Sequence, residues 1–117
     1  MTELRVVRHT THFAAACDFY GGVLGWPVTR QWDEPRSGRI FGYGDAARVE
    51  LIDSEHEDAV TGLYLSIEVE HVDLLHEAMG AHDVEITQPL ANQPWGHRNF
   101  GVSDPTGLPL VFFEVIA

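Results

Sequence analysis

Lysine is absent from this chain of 117 residues: all seven basic residues are arginines, set against 18 acidic ones for a formal charge of −11. The missing lysine is read as a compositional bias. The shortage of positive charge argues against nucleic acid as a partner, because phosphates are bound by clustered basic side chains. It leaves room for a cationic ligand, since a negative field concentrates cations in a cleft. The plainer consequence is solubility. Cysteine is nearly absent too. Cys17 alone closes no internal disulfide, so the cytoplasm is the expected compartment. No apolar run approaches the roughly 20 residues of a membrane span. The opening "MTELRVVRHT" lacks the apolar core of a signal peptide, so no membrane partner is expected.

Several motifs are missing as well. There is no Cys-x-x-Cys or His-x-His spacing to suggest a metal site. The glycine cluster "GGVLG" at 21–25 follows a helical segment, whereas a phosphate loop precedes one. Seven histidines are scattered along the chain, with His71 and His76 expected on or beside a helix, facing solvent. The densest acidic run, "DSEHED" at 53–58, reads as a solvated loop.

What is present is patterning. Hydrophobic residues at 44% and charged residues at 21% suit a globular chain, and the length suits one domain with a real core. "ELRVVRHT" reads as a strand. Thr10 or Thr11 then offers an N-cap. "HFAAACDFYGGVLG" places Phe13, Cys17, Tyr20 and Leu24 on one helical face, with Gly21-Gly22 and Gly25 ending it. Three strands follow, "PVTRQW", "GRIFGYG" and "ARVELI", separated by the turn signals "DEPRSG" and "GD".

The order then restarts. "GLYLSIEVE" alternates, with Leu63, Leu65, Ile67 and Val69 on one face and Tyr64, Ser66, Glu68 and Glu70 on the other. "HVDLLHEAMG" aligns Val72, Leu75 and Met79 as a helix stopped by Gly80. "VEITQPL", "HRNFGVS" and "LPLVFFEVI" complete the set, with Asp104-Pro105-Thr106-Gly107 as a turn. The chain thus reads β-α-β-β-β twice, as module one (1–58) and module two (59–117) of a single domain. The fold class is α+β: two paired βαβββ modules forming a curved mixed sheet with helices on the outer face. The free face of such a sheet would line a cup. Tyr64, Ser66 and Glu68 are expected there, together with Arg48, Glu50 and Ile52 of the fourth strand.

At "FYGGVLGWPV" (19–28), "SIEVEHVDLLHEAMGAHDVEI" (66–86) and "FGVSDPTGLPLVFFE" (100–114) the sequence resembles the vicinal oxygen chelate superfamily of glyoxalase I, extradiol dioxygenases and bleomycin-resistance proteins. The order and spacing of these stretches carry the resemblance. It implies paired modules, a homodimer, and ligand sites in cups or in crevices between subunits. The metal-dependent members take ligands from four strand positions. Counted from the matched stretches these fall on Arg5, Glu50, Tyr64 and Val111. Only Glu50 is a usual ligand, while arginine carries no lone pair and valine no donor atom. No metal and no cofactor is therefore expected.

Without a metal the chemistry common to the family's enzymes is lost. Arg5 is a candidate oxyanion clamp, with Glu50, Glu68 or His9 as base. Alternatively, Glu50 pairs with Arg5 as a structural remnant. Cys17, on the apolar stripe, reads as a buried thiol. What remains is aromatic: Trp32, Phe41, Tyr43, Tyr64, Trp95 and Phe113 lie near strand faces or mouths, where planar ligands stack and cations are held. Phe100 and Phe112 are expected in the core. Trp95, in the turn Gln-Pro-Trp-Gly, is expected to be exposed. The stretch "PWGHRNFGVSDPTG" is similar to its counterpart in bleomycin-resistance proteins. The expectation is a small-molecule binder that sequesters an aromatic or cationic antibiotic without turnover. Its candidate site is Trp95, Trp32, Tyr43, Phe41, Tyr64, Glu50, Arg5, Glu68, Phe113 and His9. The rival expectation is a metal-independent lyase, isomerase or epimerase.

Overall fold

The computed structural model describes residues 2–117. The chain divides into two compact units, one reaching to Ala59 and the other spanning Val60–Ala117. The first unit runs β1 (Leu4–Thr10), α1 (Phe13–Cys17), a π-helical extension of α1 (Asp18–Val23), β2 (Val28–Trp32), β3 (Gly38–Tyr43) and β4 (Ala47–Asp53). The second runs β5 (Leu65–Glu68), α2 (Val72–Ala81), β6 (Ile86–Asn92), β7 (His97–Ser103) and β8 (Pro109–Val115). Each unit forms a four-stranded mixed sheet, ordered β1-β4-β3-β2 and β5-β8-β7-β6. In both, the last three strands form an antiparallel meander, and the strand before the helix adds in parallel beside the last. A helical crossover is what a parallel neighbour requires. No helix among the described residues is long and apolar enough to cross a membrane.

The first helix differs from its sequence-based expectation at both ends. Its N-cap is His12, which makes no side-chain capping bond. Thr10 ends β1, and its hydroxyl accepts from the His12 N–H at 2.9 Å. The segment that leads into the helix is instead braced by Glu57, inside the run expected to be a solvated loop. One carboxylate oxygen, Oε1, accepts from Thr10 Oγ1 (2.7 Å), Thr11 N–H (2.8 Å) and Thr11 Oγ1 (2.8 Å), and meets His12 Nδ1 at 2.6 Å. Partial burial raises the Glu57 carboxyl pKa, but these hydrogen bonds outweigh it and hold it down at about 2. At the other end, Gly21-Gly22 does not stop the helix. The turn widens so that Leu24 N–H bonds the Phe19 carbonyl five residues back. Gly25, at φ +71°, ends it. Gly21 serves close packing: a Cβ there would stand 3.1 Å from the Phe41 ring.

The registers assign the faces. In the first unit Val49, Leu51 and Phe41 lie on the helix side with Tyr20 and Cys17, all buried. Burial raises the Cys17 thiol pKa, consistent with a packing role. In the second unit Ile67, Phe112, Leu110, Phe100 and Val102 form the corresponding layer beneath Val72 and Met79. Phe100 and Phe112 are core residues, as their pattern suggests. His76 is not a solvent-side residue: its ring packs edge-on against Phe100 at 5.2 Å.

Candidate functional site

The open face of the first unit carries Arg5, Val7 and His9 of β1 opposite Arg48, Glu50 and Ile52 of β4. Arg5 Nη1 donates to Glu50 Oε1 at 2.9 Å and Nε donates to Glu3 Oε1 at 3.0 Å. Nη2 also donates to Glu3, and Arg48 approaches Glu3 at 3.4 Å. Its hydrogen bonds to Glu3 and Glu50 raise the Arg5 pKa, and the bond donated by Arg5 lowers that of Glu3. His9 lies on the same face but is tied to Asp58, which accepts from its backbone N–H at 2.9 Å and meets Nδ1 at 3.1 Å. Trp32, whose face the sequence leaves open, lies over Gly38, where a Cβ would meet its indole at 2.2 Å. Gly38 opposes Ile52, so Trp32 shares this open face.

Phe41 and Tyr43, named as candidate site residues from sequence, lie on the other face. Phe41 is 1% exposed and packs on Tyr20 at 6.0 Å, while Tyr43 stacks on Trp26 at 4.8 Å. The run Ile40-Phe41-Gly42-Tyr43 is apolar on both parities, so alternation does not decide which side faces the helix. The glycines do. Gly38 and Gly42 leave space on the open face for Trp32 and Thr29, and the aromatics turn inward.

The open face of the second unit carries Ser66 and Glu68 of β5, Val111 and Phe113 of β8, and His97, Asn99 and Gly101 of β7. His97 stacks on Phe113 at 4.2 Å with the rings 12° from parallel, so Phe113 is half-covered. Beside this pair is a cleft of about 390 Å³. Asn99, Gly101 and Val111 form part of its lining, the edge strand contributes Thr87 and Gln88, and Tyr64 and Trp95 border it. Both aromatics are open to solvent, Tyr64 at 60% and Trp95 at 64%. Trp95 is held in its turn by Gly96 at φ +85°, which bonds the Gln93 carbonyl. The turn at the far end of β7 is pinned by buried Asp104, whose Oδ1 accepts from Thr106 N–H, Thr106 Oγ1 and Leu108 N–H.

Of the ten candidate residues, the structure brings Tyr64 and Trp95 to this cleft. Phe113 and Glu68 lie on the same sheet face outside its lining. Arg5, Glu50, His9 and Trp32 lie on the open face of the first unit. Sequence reasoning missed the cleft's polar floor. Gln88 Nε2 and Gln93 Nε2 both donate to Asn99 Oδ1, at 3.0 and 3.1 Å. Three neutral amides in separate segments carry no motif. Their only sequence signal is polar residues on strands otherwise rich in apolar ones.

The four positions that a metal-binding relative would use do not suit a divalent cation here. The guanidinium of Arg5 already neutralises Glu50. Tyr64 offers a phenol and Val111 an aliphatic side chain. Among the described residues, no three His, Cys, Asp or Glu side chains converge.

Comparison with solved structures finds the same fold repeatedly. TioX from Micromonospora sp. ML1 aligns over 99% of this chain and 100% of its own, with TM-score 0.79 and 20% identity. A glyoxalase/bleomycin resistance protein/dioxygenase from Nocardioides aligns over 99% and 84%, with TM-score 0.70 and 20% identity. A lactoylglutathione lyase from Agrobacterium tumefaciens aligns over 95% and 91%, with TM-score 0.72 and 19% identity. At such identities the likeness is one of fold alone. Among curated proteins no match was found. A family model matches residues 4–112, nearly the whole of both βαβββ units, and the chain belongs to the Glyoxalase/Bleomycin resistance protein/Dioxygenase superfamily.

Proposed function

We propose that this protein binds a planar aromatic small molecule in the cleft of its second unit and releases it unchanged, a sequestering function of the drug-resistance kind. The observation that carries the reading is the pairing of two solvent-open aromatics, Tyr64 and Trp95, with one cleft. Large exposed aromatics bordering a concave surface are the usual means of holding a flat ligand. The lining includes no carboxylate, imidazole, thiol or amine. Apart from the Tyr64 phenol, a ligand resting there meets none of the usual acid–base groups, which favours binding over turnover. The family's description includes bleomycin resistance, which is consistent with a drug as ligand.

The test is a titration of DNA-damaging and polyketide antibiotics against wild type and Trp95→Ala, read by calorimetry. The expected result is a ligand whose affinity falls by roughly 1–3 kcal/mol on substitution, the usual range for loss of an aromatic contact. Mass spectrometry of that ligand after incubation should return it unaltered. Altered product in excess of protein, or no ligand that distinguishes the two proteins, would overturn the reading.

A further inference from the structure

Asn99 stands on the central strand β7 and is 5% exposed. Its oxygen is fully engaged, taking one hydrogen bond from Gln88 and one from Gln93. The side-chain nitrogen is left with two N–H donors, and no described residue accepts from either. That nitrogen is not among the fully buried side-chain atoms left without a partner, so it reaches solvent in the free protein. A ligand that covers it must offer an acceptor, because leaving a donor unmet costs more than a typical hydrogen bond contributes. Asn99 lines the cleft, so its donors have an outlet there. Gly101 beside it adds no side chain, and Val111, Leu110, Val102 and Pro109 make much of the remaining surface apolar. No charged residue contributes to the lining, so neither an anion nor a cation would find its counter-charge. The chain's formal charge of −11 lies elsewhere.

Resting on the cleft as the binding site, we propose that its ligand is a neutral planar arene bearing a carbonyl-type oxygen, and that this oxygen accepts from Asn99 Nδ2 while the ring lies against Trp95. The two glutamines are positioning residues. By holding Oδ1 they turn the donor edge of the amide toward the ligand. A site with a committed donor discriminates strongly against analogues lacking the acceptor, because the donor is then buried unpaired.

Three tricyclic probes of nearly one shape test this. 9-Fluorenone carries a ring carbonyl, fluorene carries no polar group, and carbazole carries an N–H donor. Calorimetric titration of wild type should show 9-fluorenone binding about ten-fold tighter than fluorene, the value of one well-made hydrogen bond. Trp95→Ala should weaken both alike. Asn99→Asp keeps an oxygen for both glutamines but replaces the donor with an acceptor, so the preference should fall to about one or invert. In wild type, the Asn99 side-chain amide resonances should shift with 9-fluorenone and not with fluorene, a readout that requires no variant to fold. Binding of both probes through Trp95 without preference would keep the cleft and refute the carbonyl assignment. A preference for carbazole would show the amide facing the other way and refute it equally. Proflavine, a cationic tricycle, binding through Trp95 at least as tightly as 9-fluorenone would refute neutrality. If no probe binds wild type, the cleft reading and this inference fall together.

Discussion

Replacing Glu57 by Gln removes a charge and keeps an acceptor oxygen, so it isolates what the carboxylate does at the start of α1. Four donor groups from three consecutive residues converge on Oε1 at 2.6–2.8 Å. They hold the Glu57 pKa at about 2 against an ordinary 4.5. Such a depression corresponds to about 3 kcal/mol at neutral pH. The side chain is 31% exposed, and solvent screening reduces the expected effect to about 1–2 kcal/mol. The sign follows from which state binds the proton more weakly. The folded carboxyl resists protonation, so its stabilisation is complete above pH 4.5 and is lost as pH falls from 4.5 towards 2. Asp58, whose pKa is also lowered by bonds from His9, steepens the same acid limb in both proteins. Urea unfolding of wild type and Glu57→Gln at several pH values between 7 and 3 measures the difference. The gap should be about 1–2 kcal/mol at pH 7 and should narrow steadily below pH 4.5. A gap independent of pH, or no gap at pH 7, would show that the carboxylate does not brace the approach to α1.

Two further outcomes follow from the geometry. Asp104→Ala removes an acceptor that serves three donors in a buried turn, so unfolding should become easier by about 2–3 kcal/mol, whereas Asp104→Asn should recover part of that loss; equal stability of all three proteins would refute this account of the turn. The occupation of Glu50 by Arg5 leads us to expect that elemental analysis of purified protein finds no stoichiometric Ni, Zn, Fe or Mn that depends on Glu50; near one metal per chain, lost on Glu50→Ala, would refute it.

The element order, and with it the family, was legible because the signals are local. Strand alternation in Leu65–Glu68, the helical spacing of Val72 and Met79, and the turn at Asp104-Pro105-Thr106-Gly107 each depend on residues within a few positions of one another. Trp95 could be read as exposed for the same reason, since a tight turn between two strands leaves little to cover it. The misfit of Arg5 and Val111 as metal ligands needed only their side-chain chemistry and the spacing of the matched stretches.

Tertiary structure decided the rest, because those features depend on groups far apart in the chain. Phe41 and Tyr43 turn inward rather than toward a ligand because Tyr20, Gly21 and Trp26 receive them, while Trp32 and Thr29 fill the space that Gly38 and Gly42 leave on the other face; apolar alternation alone does not tell the two faces apart. Glu57 becomes the brace of the segment leading into α1, 45 residues from His12, though its own neighbourhood reads only as charge. Gln88, Gln93 and Asn99 become one polar floor when β6 and its turn pair back on β7. The sequence by itself determined which elements form and that Trp95 stays outside. Only packing decided which faces are open and which side-chain amides meet at Asn99, since both depend on what the rest of the chain has already filled.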